Sequence, residues 1–159
     1  MVDLVAAFSA GQEVRIRNPE SVRPWQHVLD CLHGYLALSD ALLRGEASGE
    51  AFNFGPGTDS FVQVGAVAAS VASLWGTNSL VEVDTGPHVH EASLLALDSR
   101  KAELMLGWRS KLRFQEALTW TIAWEKQVRV GADARAVSQA QISEFMSLAE
   151  ERQPSGRHA

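Results

Sequence analysis

Positions 14–43 read VRIRNPESVRPWQHVLDCLHGYLALSDALL, and this stretch combines a strand, a turn and a long helix. Val14 and Ile16 alternate with arginines, which predicts a short strand from Val14 to Arg17. Asn-Pro then favours a turn, because proline has no amide hydrogen to donate to a strand. The apolar residues from Val28 to Leu43 recur mostly three and four positions apart, which is typical of an amphipathic helix of about five turns. The sequence therefore predicts a strand–turn–helix unit at the centre of the fold.

Arg23 is the candidate binding residue of this unit. It precedes Pro24, which biases its backbone toward an extended conformation, so we expect its guanidinium at the mouth of the unit. The planar fork of a guanidinium suits a phosphate, because it gives two parallel charged hydrogen bonds. The alternative is a surface ion pair with Glu20 or Asp30.

Composition limits the classes of function. The chain has 159 residues, 46% of them hydrophobic, which is enough for one core, and we expect a single unit over residues 1–150 with a disordered tail over 151–159. Fourteen basic and nineteen acidic residues give a formal charge of −5, which argues against a nucleic-acid groove or an anionic membrane surface as partner. We see neither a signal peptide nor an apolar run of the roughly 18 residues that a membrane span needs, so the sequence predicts a soluble, cytoplasmic protein.

The rest of the chain alternates helical patterns with short extended ones. We expect Ser60, Asp98 and Ser138 to cap helices and the stretch from Thr85 to His90 to form a loop. The predicted fold class is α+β or α/β, with short strands and about five to six helices. The remaining predicted helices cover residues 3–9, 61–75, 99–106, 115–128 and 138–150, and the remaining predicted strands cover 52–54, 80–83 and 94–97.

A series of short motifs carries a family resemblance. In chain order they are Ile16-Arg17-Asn18-Pro19, Arg23-Pro24-Trp25-Gln26-His27-Val28, Tyr35-Leu36, Phe52-Asn53-Phe54-Gly55-Pro56, Trp75-Gly76, His88-Val89-His90-Glu91-Ala92, Leu97-Asp98, Lys101 and Leu106-Gly107-Trp108. Their order and spacing resemble the C-terminal half of CDP-glucose 4,6-dehydratases, from about Leu4 to Met146. These enzymes belong to the extended short-chain dehydrogenase/reductases that act on nucleotide sugars.

The resemblance also implies what this chain lacks. Enzymes of this family bind NAD through a glycine-rich turn between a first strand and a first helix, and Gly55-Pro56-Gly57 does not match that pattern. Their hydride chemistry uses a tyrosine with a lysine four residues later, whereas the single tyrosine here, Tyr35, is followed at that distance by Ser39. We therefore expect that the Rossmann half is missing, that this chain binds no NAD, and that it has no dehydratase activity of its own.

The residues that bind the nucleotide sugar in this family do have matching positions in this chain. The resemblance implies that Arg23 contacts the phosphates of a nucleotide sugar and that His88 and His90 make further contacts to the nucleotide. Asn18 and Trp25 are the expected pocket walls. His27, in the same motif as Arg23, completes the predicted set of substrate-binding residues.

A metal site is a second interpretation, from a different class of function. His88 and His90 are two positions apart and Glu91 follows, so these three residues supply metal ligands if others close the site. Metal-assisted hydrolysis would follow if one coordination position held a water molecule. The partners available elsewhere in the chain are His27, Asp84 and Asp98.

Self-association is the third expectation. Without a cofactor domain, the apolar face of the helix from Val28 to Leu43 would be uncovered, and soluble monomers rarely expose a large contiguous apolar area. We therefore predict a homodimer or higher oligomer, or else a separate cofactor-domain partner; in this reading the chain is a structural or interaction protein. Three results distinguish the hypotheses. Binding of cytidine nucleotides would support the nucleotide-sugar site, a chelator-sensitive activity would support the metal site, and the absence of both would favour the interaction protein.

Overall fold

The computed structural model describes residues 1–77, 81–86 and 91–151. Six α-helices and four short strands form the described part, and this α+β arrangement confirms the predicted fold class. In chain order the elements are α1 (Val2–Ser9), β1 (Val14–Ile16), β2 (Val22–Pro24), α2 (Val28–Leu43), a 3-10 turn (Thr58–Ser60), β3 (Phe61–Gln63), α3 (Val64–Trp75), β4 (Val81–Val83), α4 (Arg100–Leu106), α5 (Phe114–Arg129) and α6 (Ala134–Glu151).

The strands pair in two small sheets. β1 is parallel to β4, with Val14 opposite Val81, and β2 is antiparallel to β3, with Arg23 opposite Val62. On its other edge β2 takes a single parallel bridge, between Val22 and Leu94. β2 is therefore held on both edges, at Arg23 by β3 and at Val22 by the segment around Leu94.

The main core lies between α1, α3 and α5. α3 contributes small residues, which let its neighbours pack closely, and it ends at Gly76, whose φ of +77° is the left-handed conformation that favours glycine. Two smaller clusters lie around Trp108 and around Phe145. The buried members of the main core are Leu4, Val5, Phe8, Val14, Val67, Ala68, Val71, Phe114, Leu118 and Ile122.

Helix α2 has the predicted bounds, yet most of its periodic leucines are exposed. Its buried residues are Asp30, Gly34 and Ala41, and at Gly34 an added Cβ would lie 2.4 Å from a ring carbon of Phe54. The buried side of the helix is thus the side with small residues and one carboxylate. The exposed apolar residues of α2 are Val28, Leu32, Tyr35, Leu36, Leu42 and Leu43, called the α2 stripe below.

Two predicted strands are wrong. Residues 52–54 are irregular, because Phe54 packs against the ring of Trp108 at a centroid distance of 5.0 Å instead of entering a sheet. Residues 94–97 make only the bridge from Leu94 to Val22. The predicted strand over 80–83 is present as Val81–Val83, and Leu80 lies outside the described residues.

The three predicted caps also need correction. Helix α3 begins only at Val64, because the residues after Ser60 form β3. Helix α6 begins four residues before Ser138, and the carboxylate of Asp133 accepts the N–H of Arg135 in its first turn at 3.0 Å. The N-cap position of α4 is Ser99, although Asp98 still accepts the Arg100 N–H at 3.0 Å.

The described part of the chain ends at Glu151, the last residue of α6. The remainder of the predicted tail, residues 152–159, lies outside the described residues. Within the described ranges, none of the helices combines the length and the apolar character that crossing a bilayer requires.

Candidate functional site

A pocket of about 230 Å³ lies where the ends of β1 and β2 meet the start of α3. Four of the residues predicted as binding residues or metal ligands line it together, namely Asn18, Arg23, Trp25 and Glu91. Arg17 lines it as well. It stands in the motif Ile16-Arg17-Asn18-Pro19 but was not predicted as a binding residue, although its place at the end of an alternating strand next to Asn18 was a usable signal. Arg15 and Asp3 also line the pocket, which therefore brings three arginines and one indole ring together with two carboxylates, those of Asp3 and Glu91.

Arg23 is held mainly by backbone carbonyl groups. Its Nη1 donates to the carbonyl oxygens of Val22 and Ala92, at 2.9 Å each, and its Nη2 lies 3.4 Å from Oε2 of Glu91. The side chain is 20% exposed. A guanidinium has five N–H donors, and Nε–H of Arg23 has no partner among the described residues. Donors remain available on this side chain for an anion.

The ion pair expected for Arg23 involves a different carboxylate. The predicted partners, Glu20 and Asp30, are both engaged elsewhere: Glu20 accepts a hydrogen bond from Gln63 at 2.8 Å, and Asp30 is completely buried. The partner is Glu91, 68 positions along the chain. Sequence proximity suggested the wrong partner because the segment after β4 returns to the edge of β2.

Trp25 and Asn18 form part of the pocket wall through local backbone structure. The indole Nε1 of Trp25 donates to the carbonyl of Val62 at 2.9 Å, which anchors the ring across β2 and β3. The carbonyl of Asn18 accepts the Ser21 N–H at 3.1 Å and closes the turn that the Asn-Pro pair predicts. Both side chains are half-buried.

His27 lies apart from this pocket and caps α2. Its Nδ1 accepts the N–H of Leu29 at 3.3 Å, and its ring meets Trp120 edge-on at 5.9 Å. Burial lowers the pKa of His27, and the nearby Asp30 only partly opposes that effect. The residue lines a mostly apolar groove of about 400 Å³ between α2, α5 and α6, so the structure does not bring it together with Arg23.

Most of the candidate metal ligands either interact with arginines or lie outside the described residues. His88 and His90 lie outside the described residues, and Glu91 pairs with Arg23. Asp98 accepts hydrogen bonds from Arg100, which hold the pKa of this exposed carboxyl at about 2. Within residues 1–77, 81–86 and 91–151, no three His, Cys, Asp or Glu side chains group together as a metal site would require.

Comparisons with known proteins identify relatives of this chain. No family model matches it. CDP-glucose 4,6-dehydratase of Salmonella typhimurium is 37% identical over 146 residues, which is 91% of this chain but only 41% of that enzyme. The chain therefore spans about two fifths of the length of its curated relative.

Solved structures show the same fold. UDP-glucose 4-epimerase of Thermotoga maritima, in complex with UDP-glucose, superposes with a TM-score of 0.68 and 23% identity over 79% of this chain and 38% of the epimerase. dTDP-glucose 4,6-dehydratase of Bacillus anthracis, in complex with NAD, gives a TM-score of 0.64 and 22% identity over 78% and 37%. The resemblance seen in the motifs is confirmed: the chain is a relative of CDP-glucose 4,6-dehydratase and has the fold of part of the extended short-chain dehydrogenase/reductases, consistent with their C-terminal part.

Proposed function

We propose that this chain binds a nucleotide sugar of the CDP-glucose class, with the diphosphate against Arg23. The observation that carries the proposal is the partly buried guanidinium of Arg23, whose Nε–H has no partner among the described residues, in a pocket lined by Trp25. The relative that supports a cytidine nucleotide is CDP-glucose 4,6-dehydratase. The proposal assigns no reaction to the chain, and the absence of its own NAD site remains a prediction.

The size of the pocket indicates which part of the ligand it takes. Sites that enclose a whole drug-sized ligand have volumes of about 300–1,000 Å³. At about 230 Å³ this pocket suits the diphosphate and the group next to it, while the rest of the ligand lies along the neighbouring surface. His27 is not part of the proposed contact because it faces the other groove. His88 and His90 remain proposed contacts.

Replacing Arg23 tests the proposal. We expect Arg23→Gln to weaken binding of CDP-glucose at least tenfold, because hydrogen bonds to charged groups contribute about 1.5–3 kcal/mol each. Arg23→Lys keeps the charge without the fork, so its affinity should lie between those of wild type and Arg23→Gln. Isothermal titration calorimetry would measure the dissociation constants, and thermal unfolding would show that each variant is folded.

Arg129→Gln is the matched control for Arg23. Arg129 pairs with Glu125 at 3.2 Å on α5, away from the pocket, so its replacement removes the same charge without touching the site. It should leave the affinity for CDP-glucose unchanged. Equal affinities of wild type and folded Arg23→Gln would remove Arg23 from the site.

The α2 stripe supports a second proposal, that two copies of this chain associate through it. Leu36 is 68% exposed and Leu43 is 88% exposed, beside further apolar residues on the same helix. Burying apolar area releases roughly 25 cal/mol per Å², so a face of this kind favours association. A second copy is the occupant proposed here because the stripe recurs along a 16-residue helix and presents the same apolar surface to a symmetric mate.

A charge in the stripe should prevent this association. We expect Leu36→Glu to raise the dimer dissociation constant at least tenfold, since the carboxylate would have to be desolvated at the interface. Sedimentation velocity over a range of concentrations measures it. Leu104→Glu, on an 84% exposed position of α4, is the control that should leave association unchanged. A wild-type chain that stays monomeric at all concentrations would contradict the proposal.

A further inference from the structure

The segment that carries Glu91 is fixed beside Arg23 by backbone hydrogen bonds. The N–H of Val22 donates to the carbonyl of Ser93 at 2.8 Å, and the N–H of Leu95 donates to the carbonyl of Val22 at 3.1 Å. These bonds lie on the edge of β2 that β3 leaves open. Because these backbone bonds hold the segment in place, Glu91 stays near the guanidinium even when its carboxylate no longer accepts the hydrogen bond from Arg23.

The contacts of Arg23 divide into two kinds. Nη1 uses both of its hydrogens on the carbonyl oxygens of Val22 and Ala92, and these contacts anchor the side chain. Within the described part of the chain, the edge formed by Nε and Nη2 hydrogen-bonds only to Glu91, through one long bond of 3.4 Å. That edge is the part of a guanidinium that can hold two oxygens of one anion side by side.

The ion pair is weak enough to be displaced. The side chain of Glu91 is 43% exposed, and pairs between solvent-accessible charges typically stabilise by less than about 1 kcal/mol. A phosphate that meets both Nε–H and Nη2–H makes two charged hydrogen bonds in place of one. Glu91 nevertheless opposes this exchange, since its negative charge must leave the guanidinium and remains close to the incoming anion.

We infer that Glu91 is a built-in competitor for the anion at Arg23 and sets the affinity of the site for diphosphate ligands. This inference rests on the proposed anion site at Arg23. The carboxylate and the diphosphate exclude each other from the same Nε–Nη2 edge, while the bonds to Val22 and Ala92 keep the guanidinium in position in both states. The native affinity is therefore lower than the arginine alone would give.

Neutralising the carboxylate tests the competition. We expect Glu91→Gln to bind inorganic pyrophosphate and CDP-glucose about threefold to tenfold more tightly than wild type in calorimetric titrations at fixed ionic strength. In an Arg23→Gln background, Glu91→Gln should not increase the affinity for either ligand, because the guanidinium for which the carboxylate and the anion compete is absent. Glu125→Gln removes the same charge from an arginine–glutamate pair on α5 and should bind as wild type does.

The outcomes separate this inference from the proposed function. If wild type binds pyrophosphate through Arg23 but Glu91→Gln binds equally or more weakly, the competition is overturned and the proposed site stands. If Glu91→Gln binds while wild type does not, the competition is supported and the native chain is not a diphosphate binder. Absence of binding in both proteins overturns the proposed function and the inference together.

Discussion

Asp30→Ala is expected to lower the free energy of unfolding by about 2–5 kcal/mol, because it leaves two backbone N–H groups without their acceptor. Asp30 is completely buried at the start of α2. Its two carboxylate oxygens accept the N–H of Lys111 at 2.6 Å and that of Leu112 at 3.3 Å. The carboxylate thus connects α2 to the turn that leads into α5, a link between elements 81 positions apart.

The pKa of Asp30 shows that this connection is made against a desolvation cost. Burial raises the pKa of the carboxyl above its ordinary value, and the hydrogen bonds from Lys111, Ser110 and Leu112 only partly counteract that rise. Asp30→Asn should be less destabilising than Asp30→Ala, since its amide oxygen still accepts one of the two N–H groups.

Urea unfolding of the three proteins measures the difference, with the midpoint and slope compared for each. Asp40→Ala is the control on the same helix, because the side chain of Asp40 is 70% exposed and pairs with Arg44 at the surface. It should change stability by no more than about 0.5 kcal/mol. A similar loss for Asp30→Ala and Asp40→Ala would show that the buried carboxylate is not needed.

Asp30 also illustrates what the sequence could predict about α2 and what it could not. The apolar residues, recurring three and four positions apart, predicted the bounds of the helix, because this spacing is a local signal. They did not predict which face is buried. Periodicity identifies an apolar face, and that face is exposed, as the resemblance led us to expect; the side that packs against neighbouring elements carries Asp30, Gly34 and Ala41, which the apolar repeat does not mark.

The errors in the strands have a similar physical origin. Phe52 and Phe54 alternate with a polar residue, as in a strand, yet a strand exists only when another segment pairs with it. Arg23 was expected to be extended, and β2 forms there because Val62 lies opposite it. Local sequence favours extended backbone at both places, while pairing depends on distant parts of the chain.

In the candidate site, too, residues in neighbouring motifs were predicted from the sequence, whereas contacts made by a distant segment were not. Arg23, Asn18 and Trp25 belong to consecutive motifs, and the structure places them around one pocket. Glu91 was predicted as a metal ligand and as part of the loop of His88 and His90 that the resemblance places near the nucleotide, not as the partner of Arg23. Its pairing with Arg23 depends on the return of the chain after β4, which no local pattern encodes. His27 was assigned to the substrate from its motif, whereas the structure shows it as the cap of α2.

Trp108→Ala is expected to be among the most destabilising single substitutions in this chain, with a loss of about 3–5 kcal/mol in the free energy of unfolding. Trp108 is 2% exposed and forms a cluster with Phe54 and Ala102. Its ring meets that of Phe54 edge-on at 5.0 Å, with an angle of 77° between the planes. Truncation to alanine removes this contact and leaves a cavity that Phe54 can fill only in part.

Trp108→Phe separates the effect of volume from that of the polar atom. The indole Nε1 of Trp108 is buried and has no hydrogen-bond partner among the described residues, so phenylalanine loses no hydrogen bond there. We expect less than half of the loss seen for alanine, because the remaining ring keeps the aromatic contact and an unsatisfied N–H is removed. Tyr35→Ala, on a 56% exposed aromatic that also contacts Phe54, is the control for loss of an aromatic ring; at concentrations where the α2 stripe is not buried by a second copy it should cost about 1 kcal/mol or less. If phenylalanine proves as damaging as alanine, the Nε1–H must be hydrogen-bonded in solution, and a buried water molecule between Trp108 and a neighbouring carbonyl would be the physical reason.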